Sequence, residues 1–271
     1  MTNWSPISLI RSLGKHASLI RQMTWREVVG RYRGSWLGLA WSFFNPLLML
    51  GVYTFVFSVV FQARWGTGAE ESKADFAIIL FVGLIVHAMF AELINRSPTL
   101  VTSNPSYVKK VVFPLEILPW MAAGSALFHA AISTIVLIAM QLVLNHHLPW
   151  TAALFPLVLF PLVPISIGFS YMLAALGVFV RDISQITVMF TTVLFFISPI
   201  IYPASGVPVE FRGWLKFSPL TFFVEEGRNT LLFGQLPDPT NLALAYAAAA
   251  IVVWIGYAFF QKARRGFADV L

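Results

Sequence analysis

GSWLGLAWSFFNPLLMLGVYTFVFSVVFQA, residues 34–63, contains no aspartate, glutamate, lysine or arginine. About 20 mainly apolar residues are enough for a helix to cross a hydrocarbon core of roughly 30 Å. This run is therefore long enough to span a membrane, and the rest of the chain repeats the pattern. Charge-free runs also cover 76–91, 117–145, 148–180, 183–209 and 239–261. Hydrophobic residues make up 58% of the chain and charged residues 11%. The mean hydropathy is +0.77. An average soluble domain carries about 25% charged residues. The expected fold is an all-α integral membrane protein with six transmembrane helices per protomer. Their approximate limits are 36–62, 76–100, 116–145, 149–180, 183–202 and 240–261, within a transmembrane domain covering 34–271.

The second run is short. It becomes a full span only if Glu92 and Arg96 are included. They stand four apart with the acid first, a spacing that favours pairing on one helix face. An ionisable residue inside a span is also a candidate for a functional role, so a proton-handling Glu92 stays open.

Lysine and arginine set the expected orientation. With the N-terminus inside, the inner segments hold thirteen: Arg11, Lys15, Arg21, Arg26, Arg31, Arg33, Arg96, Lys109, Lys110, Arg181, Lys262, Arg264 and Arg265. The outer segments hold five: Arg64, Lys73, Arg212, Lys216 and Arg228. Cytoplasmic loops carry the excess of these residues, so both termini are expected in the cytoplasm. No cleavable signal peptide is expected, because residues 1–33 mix charged and apolar groups throughout.

Residues 1–33 are read as a cytoplasmic amphipathic interface helix. Ile10, Leu13, Ala17 and Ile20 recur at helical spacing, with Arg11, Lys15 and Arg26 opposite. Such a helix tends to lie in the headgroup plane. Asn45-Pro46 marks a helix start or kink within the first span. Pro149, Pro156, Pro161 and Pro164 predict a broken outer half for the fourth. Residues 202–238 are too charged to span and too oily for a free loop. They read as short re-entrant outer helices between spans five and six, parted by Ser218-Pro219.

The chain lacks the chemistry of an enzyme. It has no cysteine, no phosphate-binding loop of the form G-x-x-x-x-G-K-[ST] and no H-E-x-x-H. His146-His147 read as a solvated turn, because neighbours on a helix point about 100° apart. His87 and His129 read as hydrogen-bonded packing. No metal or cofactor is expected in this chain, and nucleic acid is not expected as a partner. Aromatic residues are in excess, with 25 Phe, nine Trp and seven Tyr. Most suit lipid-facing bulk and interfacial belts. A subset would suit a path for sugar, because an aromatic face is a flat apolar surface on which a sugar ring slides without tight bonds.

Several stretches carry a resemblance. RYRGSWLGLAWSFFNPLLMLGVYTFVF at 31–57, NPSYVKKVVFPLEILP at 104–119, GVFVRDISQI, SPIIYP and SPLTFFVEEGRNTLL follow one another in this order. Together they resemble the ABC-2-type polysaccharide-export permeases, nearer the O-antigen and teichoic-acid branch than the capsule branch. The resemblance implies a homodimer in the bacterial inner membrane, served by two separate ATP-binding cassette subunits that hold ATP and Mg. It implies a polysaccharide cargo linked to undecaprenyl diphosphate, moved between the two permeases.

Residue roles follow from the same resemblance. Tyr107, Val108, Lys109 and Lys110, with Arg181 and Asp182, would couple to the ATPase. Trp41, Phe44, Tyr53, Phe57, Phe190, Phe195, Phe196 and Tyr202 would line the polymer channel. Arg31 and Arg33 would meet the lipid diphosphate, since guanidinium forks suit phosphate oxygens. Glu225, Glu226 and Arg228 would order an outer gate. An ion-coupled transporter, a small-lipid or drug exporter and a membrane glycosyltransferase are the alternatives. Capsular polysaccharide and teichoic acid are the alternative cargoes.

Overall fold

The computed structural model describes residues 4–60, 65, 73–109, 113–215 and 218–270. All regular structure in them is helical. In chain order the α-helices are α1 (Pro6–Tyr32), α2 (Trp41–Tyr53), α3 (Lys73–Arg96), α4 (Pro105–Lys109), α5 (Leu118–Asn145) and α6 (Phe155–Leu159). They continue as α7 (Leu162–Phe179), α8 (Ile183–Ile197), α9 (Arg212–Leu215), α10 (Thr221–Leu231), α11 (Pro239–Ala263) and α12 (Phe267–Val270). Five stretches are long and apolar enough to cross a membrane: Gly38–Phe57, Asp75–Thr99, Leu115–Asn145, Trp150–Phe179 and Pro239–Gly266. The protein is thus a multi-pass membrane protein.

The fifth run is the exception to the expected six. Its helix stops at Ile197 after 15 residues, a rise of about 22 Å. Pro199 sterically disfavours a helical conformation at the residue before it. Ser198 is accordingly extended, at φ −76° and ψ 149°. The fourth run breaks where its prolines predicted, into a 3-10 turn at Trp150–Leu154, α6 and α7. The first run differs from expectation. α2 begins at Trp41 and carries Pro46 inside it, so Asn45 does not cap a helix. It then widens into a π-helix over Thr54–Val60.

Local chemistry fixes the ends. Ser5 caps α1 by accepting from the Ser8 N–H at 3.2 Å, with Pro6 at the first helical position. Asp238 and Pro239 repeat the device at the head of α11, where Asp238 accepts from the Thr240 N–H at 2.9 Å.

α3, drawn from the weakest run of the sequence, is the hub. Most of its residues are buried, and it packs on α5, α7, α8 and α10. α7 and α11 make the closest crossing. A Cβ on Gly256 would stand 2.1 Å from the Gly168 carbonyl oxygen, and one on Gly168 would stand 2.4 Å from that of Val252. Only glycine lets the two backbones approach so closely. α2, the π-helix after it and α8, by contrast, leave Leu48, Val52, Phe55, Met189 and Phe196 exposed.

At the end carrying α1 and α4, the segments are tied to one another. Glu116, ahead of α5, accepts from Ser12 of α1 at 3.2 Å and from Arg264, beyond α11, at 2.7 Å. Thr24 donates to the Met121 carbonyl at 3.4 Å. Near the other end of α1, Trp254 of α11 donates to the Trp4 carbonyl at 3.0 Å. α1 therefore runs as a brace from α11 to α5.

Candidate functional site

A cavity of about 550 Å³ lies among α2, α3, α5 and α8, closed at one end by the last turn of α1. Ser42, Asn45, Met49 and Tyr53 come from α2, and His87, Glu92 and Asn95 from α3. His129 and Ser133 come from α5, and Thr191, Thr192 and Phe195 from α8. Its lining is mixed: Arg31, Glu92 and His129 are charged or titratable, Asn45, Asn95, Ser133, Thr191 and Thr192 offer amides and hydroxyls, and Tyr53 and Phe195 supply rings.

The charged groups form a paired network. Arg31 donates to Glu92 at 2.5 Å, and His129 Nδ1 lies 3.0 Å from the same carboxylate and 3.2 Å from Arg31 Nη1. The Tyr32 hydroxyl lies 3.0 Å from His129 Nε2, and the direction of these ring contacts follows the tautomer. Burial pushes the Tyr32 hydroxyl above its ordinary range. Glu92 does face Arg96 as the spacing predicted, at 3.9 Å. It is a secondary contact, because Arg96 pairs more closely with Glu27 of α1. A half-buried carboxylate among two guanidiniums and an imidazole is a joint between α1, α3 and α5.

The neutral polar groups are partly paired with one another. Thr191 donates to the Asn95 carbonyl oxygen at 3.1 Å, which leaves the amide NH₂ of Asn95 for other partners. His87 donates from Nε2 to the Thr191 carbonyl at 3.0 Å. Among the rings, Tyr53 lies 6.3 Å from Phe195, and Phe195 meets His87 edge-on at 5.1 Å.

The aromatics nominated from sequence divide. Tyr53 and Phe195 line the cavity. Phe57 stacks on Tyr53 at 6.3 Å. Trp41, Phe44, Phe190 and Phe196 are exposed on the outside of α2 and α8. Tyr202 instead caps the broken end of α8, donating to the Phe196 and Ile197 carbonyls, both at 2.9 Å.

Arg31 is engaged with Glu92. Arg33 is exposed, and among the described residues no partner holds it. Tyr107 faces inward: its ring stacks on Phe113 at 4.2 Å, and its hydroxyl accepts from Arg26 at 2.9 Å. Val108 and Lys109 belong to α4, and Lys110 lies outside the described residues. Arg181 and Asp182 are exposed in the turn between α7 and α8, and no ion pair among the described residues joins them. Glu225 pairs with Arg228 at 3.1 Å, while Glu226 is half-buried. Arg228 is not on a solvated rim at all; it is 1% exposed. Among the described residues no group of His, Cys, Asp and Glu is placed to hold a metal.

An oily helical bundle with five membrane-length helices and a mixed polar and aromatic cavity defines a multi-pass membrane protein. The chain belongs to the ABC-2 type transporter family, which residues 18–232 match. It is 27% identical over 265 residues to the O-antigen export system permease protein RfbA of Myxococcus xanthus, covering 97% of this chain and 99% of that one. A Klebsiella pneumoniae protein of the same name is 25% identical over 267 residues, covering 98% and 99%. The polysialic acid transport protein KpsM of Escherichia coli is 20% identical over 241 residues, covering 87% and 90%.

Proposed function

We propose that this chain is the transmembrane subunit of an ATP-driven exporter that carries polyprenyl-diphosphate-linked polysaccharide, O-antigen in particular, across the bacterial inner membrane. The observation that carries the reading is the end-to-end similarity to permeases named for O-antigen export. The cavity lining suits that cargo, since it combines neutral amides and hydroxyls with aromatic rings. A capsular polymer is the second reading, favoured by the weaker similarity to KpsM.

Two copies would face each other through α2 and α8, whose apolar side chains are exposed in the single chain. α8, extended by residues 198–202, would then serve as the sixth span, shortened on the side of the path. A separate subunit would bind ATP and Mg and dock at the end carrying α1 and α4, through the 104–119 stretch with Lys109 and Lys110 and the turn with Arg181 and Asp182. Tyr107 would support that docking loop from within. Arg33 is the freer guanidinium for a diphosphate, and Arg31 would reach one only by leaving Glu92. Both termini would lie in the cytoplasm, following the thirteen basic residues on that side.

The test is a strain lacking this chain. Lipid-linked polymer should accumulate at the cytoplasmic leaflet while surface polysaccharide disappears. Plasmid-borne chain should restore the surface signal only when the partner ATPase retains its phosphate-binding loop. Normal surface polysaccharide in the deletion strain would refute the reading.

A further inference from the structure

The helix break after Ile197 leaves backbone groups that must be satisfied without helical partners. Among the described residues no backbone N–H reaches the Pro199 or Ile200 carbonyls. Arg228 of α10 reaches both, Nη1 donating to Pro199 at 2.6 Å and Nη2 to Ile200 at 2.8 Å. Its Nε donates to the Ile79 carbonyl of α3 at 3.0 Å. Glu225 balances the charge at 3.1 Å, and the Trp65 ring lies 4.3 Å from the guanidinium carbon. Gly83 makes the room, because a Cβ there would stand 3.0 Å from Nη2 and 3.2 Å from the Ile200 Cα.

Two further ties hold the same block. The Ser198 and Ser218 hydroxyls are 2.7 Å apart. Thr151 donates to the Thr230 carbonyl at 2.7 Å, fastening the other end of α10.

We propose that Arg228 is a positioning residue that fuses α10 to the broken end of α8 and to α3, so that this outer segment travels with them as one body and does not swing as a flap. The proposal rests on the export reading above. It assigns outer opening to movement of the whole block, or of one copy against the other. A lysine could not replace Arg228, because its ammonium lacks the planar fork that reaches several carbonyls at once.

The chain has no cysteine, so a staple can be placed cleanly. The experiment uses the full chain with its ATPase partner, measuring surface polysaccharide per membrane-inserted permease. The pair Ser198→Cys and Ser218→Cys should cross-link on oxidation, and the cross-linked permease should export within about twofold of its reduced form. Arg228→Gln should lower export at least about tenfold, given the charge-assisted bonds removed. Oxidising the cysteine pair in the Arg228→Gln background should restore that loss, and reductant should abolish the rescue.

The proposal is overturned if cross-linking stops export in the Arg228 background, if the cysteines fail to join, if Arg228→Gln exports normally, or if the staple does not rescue it. If Arg228→Gln does not accumulate, the cysteine pair alone decides. None of these outcomes resembles failure of the export reading, which is normal surface polysaccharide without the chain.

Discussion

Gly256→Ala tests the packing of the bundle. The new methyl group would stand 2.1 Å from the Gly168 carbonyl oxygen, where ordinary contact begins at 3.4 Å. The difference is about 1.3 Å, and the obstructing atoms are backbone, so α7 and α11 must part. A gap of only about 0.5–1 Å already forfeits a quarter to a half of each dispersion contact along the crossing. Overpacking of this kind typically costs about 1–3 kcal/mol. Alanine regains about 1 kcal/mol of helix propensity over glycine. The net loss is about 1 kcal/mol, or roughly 3 °C in melting temperature for a domain of this size. The assay is thermal unfolding in detergent, followed by the monodisperse fraction on size exclusion. Gly14→Ala is the control, because nothing lies within 4 Å of a Cβ there. If Gly256→Ala melts no lower than Gly14→Ala, the close crossing is not present in the protein.

Three further outcomes are expected. Glu92→Gln should loosen α1, because Arg31 and His129 lose the carboxylate that joins them; the α1 linker should then be cut faster by protease, by about fivefold or more if about 1 kcal/mol is lost. Tyr53→Ala and Phe195→Ala should slow polysaccharide export more than they lower membrane abundance, and equal losses would assign both rings to packing alone. Burial raises the Glu226 carboxyl above its ordinary range, so the folded protein takes up this proton before the unfolded chain does. Stability should therefore rise slightly as pH falls from neutral toward the ordinary carboxylate range, and Glu226→Gln should remove that dependence in melting curves.

The span pattern was readable because a bilayer imposes length and polarity on each segment separately. The proline breaks around Pro156 and Pro161 were readable for a local reason too, since each ring removes a donor. What sequence concealed was pairing across distance. Glu92 showed its neighbour Arg96, four residues on, but its nearer partners Arg31 and His129 lie 61 and 37 residues away. Arg228 sits among Glu225, Glu226 and Asn229, a neighbourhood that reads as solvated. One signal was available: Val224, Gly227, Arg228 and Leu231 share one face at i, i+3, i+4 and i+7, and all four are buried. The exposed positions of Phe44 and Phe190 were not legible, because an exposed ring and a cavity-lining ring are the same letter. The π-helical turn after Tyr53 has no compositional signature in this sequence.

The tie between Glu116 and Arg264 bears on how the protein is made. Synthesis delivers Glu116 at the head of α5 long before its cation, which arrives 148 residues later. α7 likewise waits for α11 before its glycine surface is covered. A ribosome that stalls or terminates before residue 239 therefore releases a product with one helix lacking its mate and one carboxylate lacking its counter-ion. Membrane quality-control proteases would recognise such a chain as unfinished, so nonsense changes late in the gene should remove the protein rather than shorten it.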